Sequence, residues 1–453
     1  MNLSAQIVDR TKPPQTASLP VYKLPPVYET RLPNGLAIVL VEDRRFPLVT
    51  ARLGFQAGSK YDPKELAGLS ESCAALLTEG TKSRTARQIA EEVAALGGVL
   101  KADSSPDALV IAGNALAENL AKLLNLMSDV ARNATFPEDE VELRKQNRKQ
   151  ELLAQRSQAD YLADEKFTQV VFGPHPYSRQ DPTLESIERL NRGALVEFRD
   201  RRLMPGSTVL VLLGALPQRN RALEMIGAEF GAWAGMAAPA PPPAEFPGPK
   251  RSIVLINRPG SVQADIRIGQ LAVNRASLDY FPLLLGHTIL GGGASSRLFA
   301  NIREKKGFAY DAHSALEPLK DSGAFSVSTQ VRNEVLEAAL EAVLGEMKDI
   351  ARQSVSPEEL VTTKNYLSGV FVIRLETQDG LASQLAGVKL MGLPIDYLEK
   401  YTSRVRAVEA VQIQAAAAKY ISPEQAAIVV VGDGAEIGKQ LARFGKVAVE
   451  EAK

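Results

Sequence analysis

The chain has 453 residues, 45% of them hydrophobic and 23% charged, the proportions of a folded protein of two or three domains rather than a disordered one. Lys and Arg together number 53, as do Asp and Glu, so no excess of positive charge is left to hold nucleic acid or an anionic membrane. The single cysteine, Cys73, excludes an internal disulfide and a zinc-finger cluster, and no run approaches the ~18 apolar residues of a membrane span.

Residues 1–27 read as an extended arm, because Pro13, Pro14, Pro20, Pro25 and Pro26 interrupt a segment with little periodicity. Its first ten residues lack the apolar core of a signal peptide. Asn34-Gly35 signals a turn into a buried strand over Leu36–Val41, with the apolar run Leu48–Phe55 as its expected neighbour. Thr85-Ala-Arg-Gln88 has the form of a capping box for a helix whose Ile89, Val93 and Leu96 share one face. Gly97-Gly98 ends that helix, and a strand is expected near Val99–Ile111.

The Pro/Ala-rich stretch 236–250 cannot fill a core and reads as a spacer between two halves, 28–235 and 251–440, with a tail at 441–453. The halves resemble each other. Thr-Phe-Pro137-Glu precedes a long helix in the first, as Val-Ser-Pro357-Glu does in the second, 220 residues later (357 − 137). Val209–Gly214 and Ile428–Gly432 are matching apolar strands whose terminal glycines stand 218 apart (432 − 214). A near-constant offset over some eighty residues indicates duplication of an α+β domain.

The segment Gly68-Leu-Ser-Glu-Ser-Cys-Ala-Ala-Leu-Leu-Thr-Glu-Gly-Thr81 resembles the zinc helix of the insulinase/pitrilysin family of metallopeptidases. There an H-x-x-E-H motif places two imidazoles on one helix face to bind zinc, and the intervening Glu polarises a bound water. In this sequence the three positions hold Glu71, Ala74 and Ala75, and alanine has neither lone pair nor charge. The family's third ligand, a later Glu, aligns with Glu151, 76 residues beyond Ala75 (151 − 75). Glu71 and Glu151 alone make a poor transition-metal set without imidazole or thiolate, so Glu71, Ala75 and Glu151 are vestigial metal positions and no cofactor is expected on this chain. His175, in a Pro-flanked loop, and His287, in an apolar helix, read as structural, and His313 has no partner at ligand spacing.

In the second half, Gly291-Gly-Gly leads through Ile302-Arg-Glu-Lys-Lys-Gly-Phe-Ala-Tyr310. The P-loop spacing is absent, which argues against a phosphate cradle. Read locally, this is a glycine loop, a helix with cations in its last turn, a glycine cap and a strand. On that reading Arg303 caps the helix and Tyr310 packs in a sheet. The segment also matches the family's Arg/Tyr motif, and there the resemblance implies that Arg303 and Tyr310 hold substrate and stabilise an oxyanion.

Loss of the zinc helix alongside retention of the Arg/Tyr segment resembles the non-zinc subunit of the family's bacterial heterodimers, and the likeness spans roughly residues 28–440. It implies two homologous α+β domains, each a mostly antiparallel sheet backed by helices. It also implies a peptide substrate and an H-x-x-E-H-containing sister subunit that carries zinc. Lys101, Ala102, Asp103 and Ser104 occupy the place of the family's substrate-aligning edge strand, although its leading Asn is absent, and strand addition through main-chain groups tolerates that change. A structural member of the family, a peptide-binding module without turnover, and a hydrolase using Cys73 are the other readings. The Pro-rich arm, of a kind that follows a removed export signal, favours the periplasm over the cytoplasm.

Overall fold

The structure, a computed structural model, describes residues 22–179, 181–236 and 251–452. Most of the arm and nearly all of the 236–250 spacer lie outside the described residues. The first half folds around a sheet of β1 (Val27–Arg31), β2 (Ala37–Glu42), β3 (Leu48–Phe55), β4 (Val99–Ser104), β5 (Leu109–Leu116) and β6 (Thr208–Gly214), in the order β1-β2-β6-β3-β5-β4. The second uses β7 (Ile253–Asn257), β8 (Gln263–Ala272), β9 (Ala309–Pro318), β10 (Gly323–Arg332), β11 (Ala427–Gly432) and β12 (Val447–Glu451), in the order β12-β7-β11-β8-β10-β9. With β1 set against β12, the two orders correspond strand for strand. Pairing is mainly antiparallel, with β2·β6, β7·β11 and β7·β12 parallel.

Local signals hold where the chemistry is local. Gly35, at φ 95°, makes the turn before β2. Thr85 and Gln88 cap the helix Ala86–Ala95 reciprocally, and Ile89 and Leu96 are buried beneath it. Ser356 and Glu359 form the same box, with Pro357 in the first turn of Pro357–Leu375.

Three expectations are corrected by long-range pairing. β6 lies between β2 and β3, so Leu48–Phe55 does not neighbour Leu36–Val41. The stretch 99–111 is not one strand, because β4 turns into β5 at residues 105–108. Residues 441–453 are not a loose tail: β12 extends the second sheet against β7, register Val447 to Ile253.

The halves exchange helices. The first half's Ala159–Phe172 buries Phe167, Val171 and Phe172 against Val254, Ala427 and Val429 of the second sheet. The second half's Gln378–Leu390 packs Leu381, Leu385 and Val388 against the face of the first sheet that carries Val39, Val209 and Val211. Each exchange is tied by a buried arginine. Arg52 on β3 pairs with Asp379, and Arg267 on β8 pairs with Asp164 at 2.5 and 3.0 Å. Two residues on from each arginine a glycine lets the helix approach. A Cβ on Gly54 would lie 2.7 Å from Leu390 Cδ1, and one on Gly269 2.8 Å from Phe167 Cζ.

Candidate functional site

The helix Leu69–Leu76 starts where Gly68 adopts φ 90° and the buried Asp62 collects its first donors. Asp62 accepts from the Gly68 and Ser70 N–H groups at 3.0 Å each and from the Ser70 hydroxyl at 3.2 Å. Burial outweighs these bonds and pushes its carboxyl up to about 7. Leu69, Ser72, Cys73, Ala74 and Leu76 face the core, while Glu71 is half-buried and Ala75 exposed. Burial drives the Cys73 thiol far above its ordinary value. That disfavours the thiolate a nucleophile needs, and Cys73, wholly enclosed in the core, is out of a substrate's reach, which weighs against the Cys73 hydrolase reading.

Alongside runs Glu138–Arg156, and between Glu71 and Glu151 it places two guanidinium groups. Arg144 lies 2.6 Å from Glu71 and 3.6 Å from Glu151. Arg148 lies 3.1 Å from Glu71 and 3.9 Å from Glu151. The four groups balance to zero net charge. The Arg148 side chain is 8% exposed and that of Glu71 40%, so the quartet is half sheltered.

The residues present do not fit zinc. The two histidine positions offer a paired carboxylate and a methyl group, and the surrounding cations are guanidinium groups rather than empty space. Among the described residues, no three His, Cys, Asp or Glu side chains are grouped to hold a metal ion. His175 is buried, with its Nδ1 accepting the Tyr177 N–H at 3.1 Å. His287 sits 3.5 Å from the Thr288 and Ser314 hydroxyls, and burial lowers it to about 4. His313 pairs through Nδ1 with Asp311 at 2.7 Å.

The second half brings Arg303 and Tyr310 together. Arg303 stands on a π-helical segment, Phe299–Lys305, where the sequence pattern implies an ordinary short helix. Gly307, at φ 62°, then turns the chain into β9. β9 is an outer strand, and its register against β10 slips so that Tyr310 and Asp311 together oppose Gln330. Such a bulge re-aims side chains, and Tyr310 is 83% exposed. The Arg303 guanidinium carbon lies 4.5 Å from the Tyr310 ring centre and 4.6 Å from that of Phe299. Flanked by the two rings, its donors make no hydrogen bond or ion pair among the described residues. Neither a capped helix end nor a packed ring describes this arrangement.

Lys101–Ser104 fall on β4, the outer strand of the first sheet and the counterpart of β9. Lys101 and Asp103 project outward as a loose pair at 3.5 Å. The turns of the two outer hairpins are pinned by a residue the sequence reading missed. Lys60, buried, reaches Asp107 after β4 at 2.8 Å and Asp321 after β9 at 2.9 Å. Tyr177 donates to Asp107 at 2.5 Å beside it. Arg144 and Arg148 were missed too, because nothing in their spacing from Glu71 marks them.

Two sheets of matching strand order, exchanged helices and facing outer hairpins define a duplicated α+β shell. The family model described as "Insulinase (Peptidase family M16)" matches residues 37–180, and that described as "Peptidase M16 inactive domain" matches residues 189–367. An uncharacterized zinc protease of Mycobacterium leprae is 26% identical over 407 residues, covering 89% of this chain and 91% of the relative. The crystal structure of a peptidase M16 inactive domain from Pseudomonas fluorescens superimposes with a TM-score of 0.83 at 27% identity, over 90% of this chain and 98% of that one. A protease from Helicobacter pylori shares the fold, also at 0.83, with 19% identity over 90% of this chain and all of its own. The chain belongs to the insulinase (M16) family of peptidases. No helix among its described residues is long and apolar enough to cross a membrane.

Proposed function

We propose that this chain is the non-zinc subunit of a heterodimeric zinc metallopeptidase, supplying Arg303 and Tyr310 in trans to an H-x-x-E-H-containing sister. The observation that carries this reading is the pairing of opposites in one chain. The vestigial metal helix is occupied by guanidinium groups, while Tyr310 stands exposed on a bulged outer strand and Arg303, half-buried on the π-helical segment before it, stacks on its ring with unused donors. Arg303 offers a forked, permanently charged donor set for a substrate carbonyl, and the Tyr310 hydroxyl donates where negative charge develops. Residues Lys101–Ser104 on β4 align the extended peptide by strand addition. Zinc belongs to the sister.

The test is peptidase activity and zinc content of this chain alone, of the sister alone, and of their mixture. Activity only in the mixture is expected, with Arg303→Ala or Tyr310→Phe lowering turnover by ~10²-fold or more while the pair still co-elutes. Unchanged turnover in both variants refutes the role in trans. Peptide binding without turnover in the mixture would point instead to a capture module, a reading the unpaired main-chain groups of β4 favour.

A further inference from the structure

A cleft of about 460 Å³ opens in the second half between the start of the helix Tyr280–Gly291 and the helices Asp396–Ala407 and Ala410–Tyr420. Its lining includes Arg275, Arg404, Tyr397, Phe281, Leu278 and Gln412, and no Asp or Glu. Both guanidinium groups rest on aromatic faces instead of on carboxylates. Arg275 lies 4.7 Å from the Tyr280 ring centre and donates from Nε to the Tyr397 hydroxyl at 3.0 Å. Arg404 lies 5.3 Å from the Tyr397 ring and 5.8 Å from that of Phe281. Burial raises the phenols of Tyr280, Tyr397 and Tyr401, the last up to about 12, so these rings stay neutral and the positive charge is not cancelled. Two cations sharing one ring, Arg275 half-buried and Arg404 exposed at the mouth, attract an anion, because each otherwise faces the other's field.

The remaining lining selects the kind of anion. Leu278, 95% exposed, stands at the rim, and Phe281, 8% exposed, forms part of the wall. An exposed apolar side chain next to unneutralised guanidinium groups suits a ligand that is charged at one end and apolar just behind it. Gln412 adds an amide whose Oε1 accepts the Glu409 N–H at 2.8 Å and whose NH2 remains to donate. A bare inorganic anion would leave the apolar wall unused.

We propose that this cleft binds the C-terminal carboxylate of a peptide that ends in an apolar residue. The carboxylate pairs with Arg275 and Arg404, the last side chain rests against Phe281 and Leu278, and Gln412 meets the preceding peptide group. Arg provides the planar fork that a carboxylate matches with two parallel hydrogen bonds. The site is separate from Arg303 and Tyr310, so it stands or falls without the reading of those residues.

The test uses the full chain alone and a fluorescein-labelled Ala-Ala-Phe-Leu peptide, as the free acid and as the C-terminal amide, read by fluorescence polarisation. The acid should bind at least ~10-fold more tightly than the amide, the difference expected for a charge-assisted pair. Arg404→Ala, on an exposed side chain, should weaken the acid by ~10-fold or more with an unchanged melting temperature. Arg275→Lys, which keeps the charge but loses the fork, should weaken it as well. Equal binding of acid and amide, no binding of either, or an Arg404→Ala chain that binds normally overturns the proposal. Inorganic phosphate displacing the acid as effectively as unlabelled peptide overturns it too, leaving an unselective anion site.

Discussion

If the Arg144/Arg148 pair has taken the place of a metal, then putting the ligands back will not by itself restore the metal. The perturbation is Glu71→His with Ala75→His, which with Glu151 recreates a two-imidazole, one-carboxylate set. Arg144 and Arg148 now lie 3.6 and 3.9 Å from Glu151, so an ion held by that carboxylate would stand roughly 4 Å from each guanidinium. At an effective dielectric of ~20 a dication and a unit cation at that distance repel by about 8 kcal/mol, or about 16 for the two. Structural zinc sites bind with apparent energies of ~10–16 kcal/mol, so the repulsion is of the size of the whole binding energy. The site is partly open to water, and halving the repulsion for screening still costs about 10⁶-fold in affinity. The assay is zinc per chain after dialysis, by atomic absorption, with circular dichroism melting as the check on folding. The Glu71→His/Ala75→His chain should retain almost no zinc, whereas adding Arg144→Gln and Arg148→Gln should bring it to one per chain. Stoichiometric zinc in the two-substitution chain would refute the reasoning, because the guanidinium groups would then be bystanders.

Two further outcomes concern stability. The folded chain holds the Asp62 proton more tightly than the unfolded chain, about 7 against an ordinary 3.8. Its contribution is therefore full below about pH 4 and is lost as pH rises to about 7, by at most ~4 kcal/mol. Urea unfolding across that range should show the decline, and Asp62→Asn should flatten it; an unchanged slope in the variant would assign the decline elsewhere. The two symmetry-related glycines should differ. A Cβ at Gly269 would meet the Phe325 carbonyl oxygen at 1.9 Å, whereas one at Gly54 meets only the movable end of Leu390. Gly269→Ala should cost about 3 kcal/mol and Gly54→Ala about 1, measured by urea unfolding, and a reversed order would mean that the approach of the Phe325 carbonyl on β10 does not set the cost at Gly269.

The sequence disclosed the duplication because helix starts and strand ends are written locally. Pro137 and Pro357 open matching helices, and Gly214 and Gly432 close matching strands. It disclosed Arg303 and Tyr310 as a motif, but not their stacking, which depends on a π-helical segment and a bulge set by the register with β10. The helix exchange stayed hidden for a physical reason. Phe167 and Leu385 are apolar whichever sheet they cover, and a periodicity cannot name the partner. One legible signal was overlooked: Arg52-Leu-Gly54 and Arg267-Ile-Gly269 stand 215 apart (267 − 52), as do Asp164 and Asp379 (379 − 164). A conserved offset in both members of a charge pair is evidence of equivalent contacts, and it pointed to strands that each receive a helix.

The helix at the metal positions stays in place without any metal ligand. The helix Leu69–Leu76 is held at its N-terminus by Asp62 and along one side by Leu69, Cys73 and Leu76 in the core, none of which involves a metal. Its outward face carries the Glu71 carboxylate, and the next helix supplies two cations to it. With charge balanced at that face, the shell keeps β4 and β9 at matching edges and Lys60 ties their turns together. Nothing in this framework depends on zinc. Substitution at the metal positions is therefore separable from the Arg303/Tyr310 pair, which stands on the π-helical segment and the outer strand of the second half. A split of the two functions between sister chains needs only that separability, which the placement of these residues on opposite halves provides.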